Sequence, residues 1–131
     1  MTPYQLIGKG YRLGSRFDLH GTGDCLSLAR AVLAFYGVNT PEPRREWYKR
    51  LRRGDTEVFR EELERWGQKA TDLDCGVVAL CRAENGYGMA AWFEGGWISF
   101  VGSEVRWSPI DALQVVALYC PRKQISAMPS G

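Results

Sequence analysis

The chain has 131 residues, of which 45% are hydrophobic and 24% charged, and this composition suits one globular domain with its own hydrophobic core. It contains no run of about 18 apolar residues, so no membrane span is predicted. We also expect no secretory signal, because the amino terminus lacks a basic region followed by an apolar one. The net charge of +2 is too small to argue for nucleic acid as a partner.

The cysteines and the histidine do not form a metal-binding pattern. Cys25, Cys75, Cys81 and Cys120 lack C-x-x-C spacing, and the single histidine, His20, has no second ligand at a metal-binding interval. We therefore predict no metal ion and no cofactor. All four cysteines are predicted to be reduced thiols, as in a protein made in a cytoplasm.

The first helix is predicted to follow an extended arm. Residues 1–20 are rich in glycine, tyrosine and polar groups and show no lasting periodicity, whereas residues 24–37 have the pattern of one amphipathic helix. Asp24 can cap the amino end of this helix, and Gly37 is a stop signal at its carboxyl end. One face carries Cys25, Leu28, Ala29, Val32 and Tyr36.

Two short helices of opposite charge are predicted in the middle third of the chain. A basic segment, residues 44–53, is interleaved with Trp47, Tyr48 and Leu51, and a break at residues 54–56 precedes an acidic helix, residues 57–66. Basic residues with aromatic neighbours can form a nucleic-acid surface. A solvated helix face more often explains such a pattern, and the small net charge favours that interpretation.

The second half of the chain has the pattern of short strands. Turns at Asn85-Gly86 and Glu94-Gly95-Gly96 separate the apolar runs, and residues 108–113 are predicted to form a helical turn. Helices followed by an antiparallel meander define an α+β domain. Residues 121–131 are predicted to be a loose tail. The predicted strands are 76–81, 87–93, 97–101, 105–107 and 115–120.

Cys25 is the residue that most suggests chemistry. It opens the first amphipathic helix, where the positive end of the helix dipole favours a thiolate, as a nucleophilic cysteine enzyme requires. A cysteine on an apolar helix face is more often a small core residue. The residues alone leave both interpretations of Cys25 open.

Several segments, taken in order, resemble the NlpC-type peptidoglycan endopeptidases, a branch of the papain-like cysteine hydrolases. Phe17-Asp18-Leu19-His20-Gly21, followed by Asp24-Cys25 and a helix, resembles the approach to the family's nucleophile and is closest to versions found in tailed-phage genomes. Residues 76–80 stand where the family has a Gly-Asp-apolar strand. Residues 89–98 are similar to the strand-turn-strand over its active site, and residues 105–113 resemble a phage-type ending.

The resemblance covers roughly residues 15–120 and implies a papain-like NlpC-type fold with Cys25 as the candidate nucleophile. The family takes its general base from a histidine at the start of the second strand, a position that falls at Tyr87 or Gly88 here. No histidine lies downstream of Cys25, and a cysteine peptidase needs a base within hydrogen-bond reach. His20 is the remaining candidate base, although a binding or loop-ordering role is the favoured interpretation of this residue.

Three functions are compatible with this pattern. The favoured one is a degenerate NlpC-like domain, derived from a cell-wall peptide hydrolase, that is a structural component of a phage tail tip or baseplate. Its partners are then other tail proteins, and its location is the virion after synthesis in the host cytoplasm. The second is an active cysteine endopeptidase that cuts peptidoglycan stem peptides, with Cys25 attacking and His20 or a neighbouring chain supplying the base. The third is an unrelated small α+β binding module.

No residue clearly orients an imidazole in the way that a catalytic triad requires. Asp74 and Glu94 are near in the pattern, but both are explained equally well as turn or edge charges.

Overall fold

The computed structural model describes residues 2–74 and 76–122, apart from the side chain of Asp18. Within these residues, helices precede an antiparallel sheet of six strands, so the predicted α+β class is confirmed. The helices are α1 (Phe17–His20), α2 (Cys25–Phe35), α3 (Arg45–Arg52) and α4 (Glu57–Trp66), with 3-10 turns at Pro3–Leu6 and Ile110–Ala112.

The strands form one sheet in the order β1-β6-β2-β3-β4-β5, and each pairing is antiparallel. Five strands lie within about two residues of the predicted ones. The short strand that directly follows α4 was not predicted, because three residues are too few to show a period of two. The strands are β1 (Gly67–Lys69), β2 (Val78–Ala83), β3 (Gly86–Phe93), β4 (Gly96–Val101), β5 (Glu104–Pro109) and β6 (Val115–Pro121).

The sheet is covered on both faces. Met89, Ala91 and Phe93 of β3 belong to the larger core, which also contains the buried residues of α2 and α4. Ala90 and Trp97 belong to a second, smaller core on the opposite face. The alternation along β3 therefore determines which side chains can meet the start of α2 and which cannot.

The amino-terminal segment packs against the domain and is not an extended arm, so the prediction for residues 1–20 is wrong. Leu6 and Phe17 are buried. The backbone N–H groups of Gly8 and Tyr11 donate to carbonyl groups at the β5 edge of the sheet. Leu6 and Phe17 are far apart in the sequence, so they produce no periodic signal.

The last strand continues further than predicted. Pro121 closes β6, and the backbone N–H of Arg122 donates to the carbonyl oxygen of Trp66 at 3.0 Å. The predicted loose tail is therefore wrong for Pro121 and Arg122. The rest of that prediction, residues 123–131, lies outside the described residues, as does Cys75.

Candidate functional site

Helix α2 starts at Asp24 because its buried side chain satisfies two backbone donors. The Asp24 Oδ1 atom accepts from the N–H of Ser27 at 2.9 Å, and Oδ2 accepts from the N–H of Gly14 at 2.7 Å. The Ser27 hydroxyl accepts from the N–H of Asp24 at 2.8 Å, which completes a capping box. Asp24 thus joins the helix start to the loop that precedes α1.

Cys25, the first residue of α2, lies where strands β3 and β4 separate. The β3–β4 ladder ends at the pair Ala91–Ile98. Beyond that pair the N–H of Met89 donates to the Cys25 sulfur, and the N–H of Tyr87 donates to the Thr56 hydroxyl at 2.9 Å. The sulfur therefore occupies a gap in the sheet and serves as a hydrogen-bond acceptor there.

The surroundings of Cys25 stabilise the thiol and disfavour the thiolate. Its pKa is raised to about 12, first by burial and then by the negative charge of Asp24. The Met89 N–H acts in the opposite direction, and Cys81 raises the pKa further. The helix start by itself favours a thiolate, whereas burial and the charge of Asp24 act in the opposite direction.

Tyr11 also lies near this group. Burial raises its pKa to about 12, and the charges of Cys25 and Asp24 act in the same direction. The Tyr11 ring meets Phe100 edge-on, with 5.2 Å between ring centroids. A phenol that holds its proton this strongly cannot serve as a base at neutral pH.

His20 is an exposed residue at the end of α1. Its Nδ1 atom accepts from the backbone N–H of Arg16 at 3.0 Å, so this nitrogen orders its own helical turn. His20 is not among the groups that act on the pKa of Cys25. Since His20 is the single histidine of the sequence, the chain has no second imidazole to offer.

The two positions where the resemblance expects the base histidine differ in their surroundings. The Tyr87 hydroxyl accepts from Arg60 at 2.9 Å, and the Tyr87 ring lies beneath the Arg60 guanidinium at 5.0 Å. Gly88 precedes Met89, and a Cβ atom placed on Gly88 would meet nothing within 4 Å. Tyr87 is therefore held in place by Arg60, whereas Gly88 has open space beside it.

Asp74 and Glu94 lie away from Cys25. Glu94 follows the last residue of β3, five residues from Met89 and hence about 16 Å along the strand. Both carboxylates line a cleft at that end of β3 together with Tyr4 and Phe35. Sequence reasoning missed this cleft because its lining comes from separate parts of the chain, none of which carries a motif.

Part of the basic segment around α3 contacts groups within the domain. Arg50 binds Asp55 at 2.8 Å and Glu61 at 2.6 Å, and Trp47 is buried beneath the guanidinium groups of Arg44 and Arg65. Because the Trp47 ring is covered, it is not free to stack on a nucleotide base.

Over the described residues, no helix has the length and apolar character needed to cross a bilayer, and no three histidine, cysteine or acidic residues group as metal ligands would. No family model matches this chain, and no curated protein matches it. The site around Cys25 is thus defined by its own geometry: a capped helix start and a thiol in a gap of the sheet, with no histidine against it among the described residues.

Proposed function

We propose that this chain is a non-catalytic NlpC-like domain that serves as a structural component of a phage tail tip or baseplate, and that it derives from a cell-wall peptide hydrolase. One observation carries the proposal. Cys25 is the first residue of a helix, as the resemblance expects of a nucleophile, yet its pKa is raised to about 12 and no imidazole acts on it.

Peptide hydrolysis by a cysteine needs a thiolate and a group that protonates the leaving amine. With a pKa of about 12, only about one Cys25 thiol in 100,000 is ionised at pH 7. Loss of the base alone costs about two to four orders of magnitude in rate. The small thiolate population and the missing base together reduce turnover far below that of a functional enzyme.

A packing role accounts for Cys25 without catalysis. The sulfur is packed against the larger core, and it accepts the Met89 N–H that has no β4 partner. A structural component depends on its fold and its outer surfaces and not on catalysis. The packing of the α2 start against the sheet would therefore be kept even after the catalytic histidine had been lost. Other tail proteins are then the partners, and the virion is the location after synthesis in the host cytoplasm.

One observation favours the alternative of an active endopeptidase that cuts peptidoglycan stem peptides. Cys25 keeps some solvent-exposed surface. A neighbouring chain that placed an imidazole against that surface would complete the site. His20 would first have to leave its hydrogen bond with Arg16.

Digestion of purified peptidoglycan tests the proposal. The wild-type chain, Cys25→Ala and Cys120→Ala, a control at a cysteine outside the site, are incubated with sacculi, and released peptides are measured by liquid chromatography. We expect all three to match buffer. Release by the wild type and Cys120→Ala but not by Cys25→Ala would establish the enzyme instead.

Mass spectrometry of purified tailed particles tests the structural role separately. We expect the chain in mature particles at a fixed copy number relative to other tail proteins. Absence from mature particles, combined with no peptide release, would contradict both functions and favour a small α+β binding module.

A further inference from the structure

A cleft lies at the opposite end of α2 from Cys25, beside the β3–β4 hairpin. Phe35, the last residue of α2, is ten residues from Cys25, which corresponds to about 15 Å along the helix. The cleft has a volume of about 410 Å3, within the range of small-ligand sites. We call it the aromatic cleft; its lining includes Tyr4, Phe35, Trp92, Phe93, Asp74 and Glu94.

Three of these rings pack edge-to-face: Phe93 forms the floor of the cleft, and Tyr4 and Phe35 form its two walls. Phe93 is buried, and the rings of Tyr4 and Phe35 stand nearly perpendicular to it, at 79° and 81°. Their centroids lie 5.0 Å and 6.3 Å from that of Phe93. Tyr4 is 57% exposed and Phe35 is 44% exposed, so both walls present aromatic surface to solvent.

The charged side chains described in the lining of the aromatic cleft are acidic. Among the described residues that line it, Asp74 and Glu94 are acidic and none is basic, although the chain as a whole carries +2. The Tyr4 hydroxyl donates to the Glu94 carboxylate, which ties one wall to one charge. Aromatic faces are electron-rich, so rings and carboxylates together attract a cation and repel an anion.

We propose that the aromatic cleft binds a lysine or arginine side chain carried on an extended segment of a partner polypeptide. A cationic head meets both the ring faces and the Glu94 carboxylate, whereas a purely apolar group would desolvate Glu94 without supplying a compensating charge. The cleft is open at the surface and larger than one ammonium group, which leaves room for the residues that flank the cation. This interaction is independent of Cys25, and its test is separate from that of the proposed function.

Short peptides test the cationic specificity. The full chain, labelled with nitrogen-15, is titrated with capped Gly-Gly-Arg-Gly-Gly, Gly-Gly-Lys-Gly-Gly and a norleucine analogue that is a neutral isostere of the lysine peptide. We expect the two charged peptides to shift the amide signals of Phe93, Glu94 and Gly95. The norleucine peptide is expected to bind at least about tenfold more weakly, because it lacks the cation.

Two further probes distinguish other occupants. Tetramethylammonium reports on a free small cation, and a trimer of N-acetylglucosamine reports on a sugar. Tetramethylammonium that binds as tightly as the arginine peptide would contradict a polypeptide partner. Binding of the sugar but not of the peptides, equal binding of the norleucine peptide, or no binding by either charged peptide would overturn the proposal.

Variants at the cleft provide the matched controls. Phe35→Leu keeps an apolar wall without a ring, and Glu94→Gln removes one charge at similar size. Each is expected to weaken arginine-peptide binding by between about 2-fold and 30-fold. Glu84→Gln, at the exposed turn of the other hairpin of β3, should leave the affinity unchanged. If Phe35→Leu and Glu94→Gln both bind as the wild type does, with circular dichroism showing that they fold, the assignment of the cleft is wrong.

Discussion

The backbone N–H of Met89 donates to the Cys25 sulfur at the point where β3 has lost its β4 partner. A neutral sulfur is a weak acceptor, so this contact compensates only partly for the missing strand bond. It nevertheless closes a gap that would otherwise leave a buried donor unpaired. The same geometry places Cys25 beside Asp24, whose negative charge opposes ionisation of the thiol.

Cys25 is predicted to react slowly with alkylating agents at mildly alkaline pH. Its pKa of about 12, against an ordinary value of 9.0, reduces the thiolate population at pH 8 by about a thousandfold. A more basic thiolate is also more nucleophilic, which offsets part of the loss of rate caused by the smaller thiolate population. We therefore expect alkylation of the folded protein to be about 30-fold slower than that of the urea-unfolded chain. Iodoacetamide labelling with peptide mapping measures the rate; a folded-state rate above the unfolded one would contradict the assigned pKa direction.

The stability of the domain should fall at alkaline pH through the same group. Because folding raises the pKa of Cys25, its contribution is fully present below about pH 9 and is lost as the pH rises towards about 12. We expect the wild type to lose up to about 1.4 kcal/mol more per pH unit in this window than Cys25→Ala does. Urea denaturation of both proteins from pH 8 to 11 measures the difference, and parallel curves would show that Cys25 does not titrate as described.

Replacing Asp24 is predicted to have opposite effects on stability and on thiol reactivity. Asp24→Ala leaves the N–H groups of Gly14 and Ser27 without their acceptor and should destabilise the domain by about 2 kcal/mol or more. Asp24→Asn keeps one capping oxygen and removes the charge, so it should be destabilised less. Either change lowers the pKa of Cys25, because the charge of Asp24 raises it. Alkylation that becomes no faster in Asp24→Asn would argue against this electrostatic coupling.

A histidine at position 88 is predicted to leave the thiol unactivated, because position 88 lies on the face of β3 opposite α2. Gly88 shares its face with Ala90 of the smaller core, whereas Met89 and Cys25 pack with the larger core. A side chain added at position 88 would extend into open space on that opposite face. The pH profile of alkylation in Gly88→His should therefore match that of Gly88→Gln, which adds a side chain without a base. Faster alkylation near neutral pH in Gly88→His alone would show that the imidazole reaches Cys25 and would contradict this placement.

The sequence predicted most of the fold because its elements are defined locally. Each of the five predicted strands is an apolar run between turn residues, and Asp24 and Gly37 mark the ends of an apolar helical pattern. Leu6 and Phe17 were missed as anchors because the few apolar residues around them follow neither a helical nor a strand period.

The candidate site was harder to predict than the fold. The ionisation of Cys25 depends on its burial against β3 and on the charge of Asp24, and the helix dipole gives no information about either. The aromatic cleft joins residues as far apart as Tyr4 and Glu94, so only the packed chain brings its rings and carboxylates together.

Glu94 is predicted to weaken the hairpin that it occupies. It is the one non-glycine residue with positive φ among those described, at 47°, and Gly95 follows at 76°. A left-handed conformation costs a residue with a Cβ about 1 kcal/mol or more, and asparagine tolerates it better. Glu94→Asn should therefore raise the thermal unfolding midpoint, whereas Glu94→Gln keeps the strain and should not.

The two Glu94 variants separate turn strain from charge. Both lack the carboxylate, so both should lose affinity for the arginine peptide, while only Glu94→Asn gains stability. That combination would mean that Glu94 supplies affinity for the ligand at a cost in hairpin stability, as expected for a binding residue in a strained conformation. A Glu94→Asn variant that melts below Glu94→Gln would instead show that the hydrogen bond from Tyr4 stabilises the hairpin more than the strained backbone weakens it.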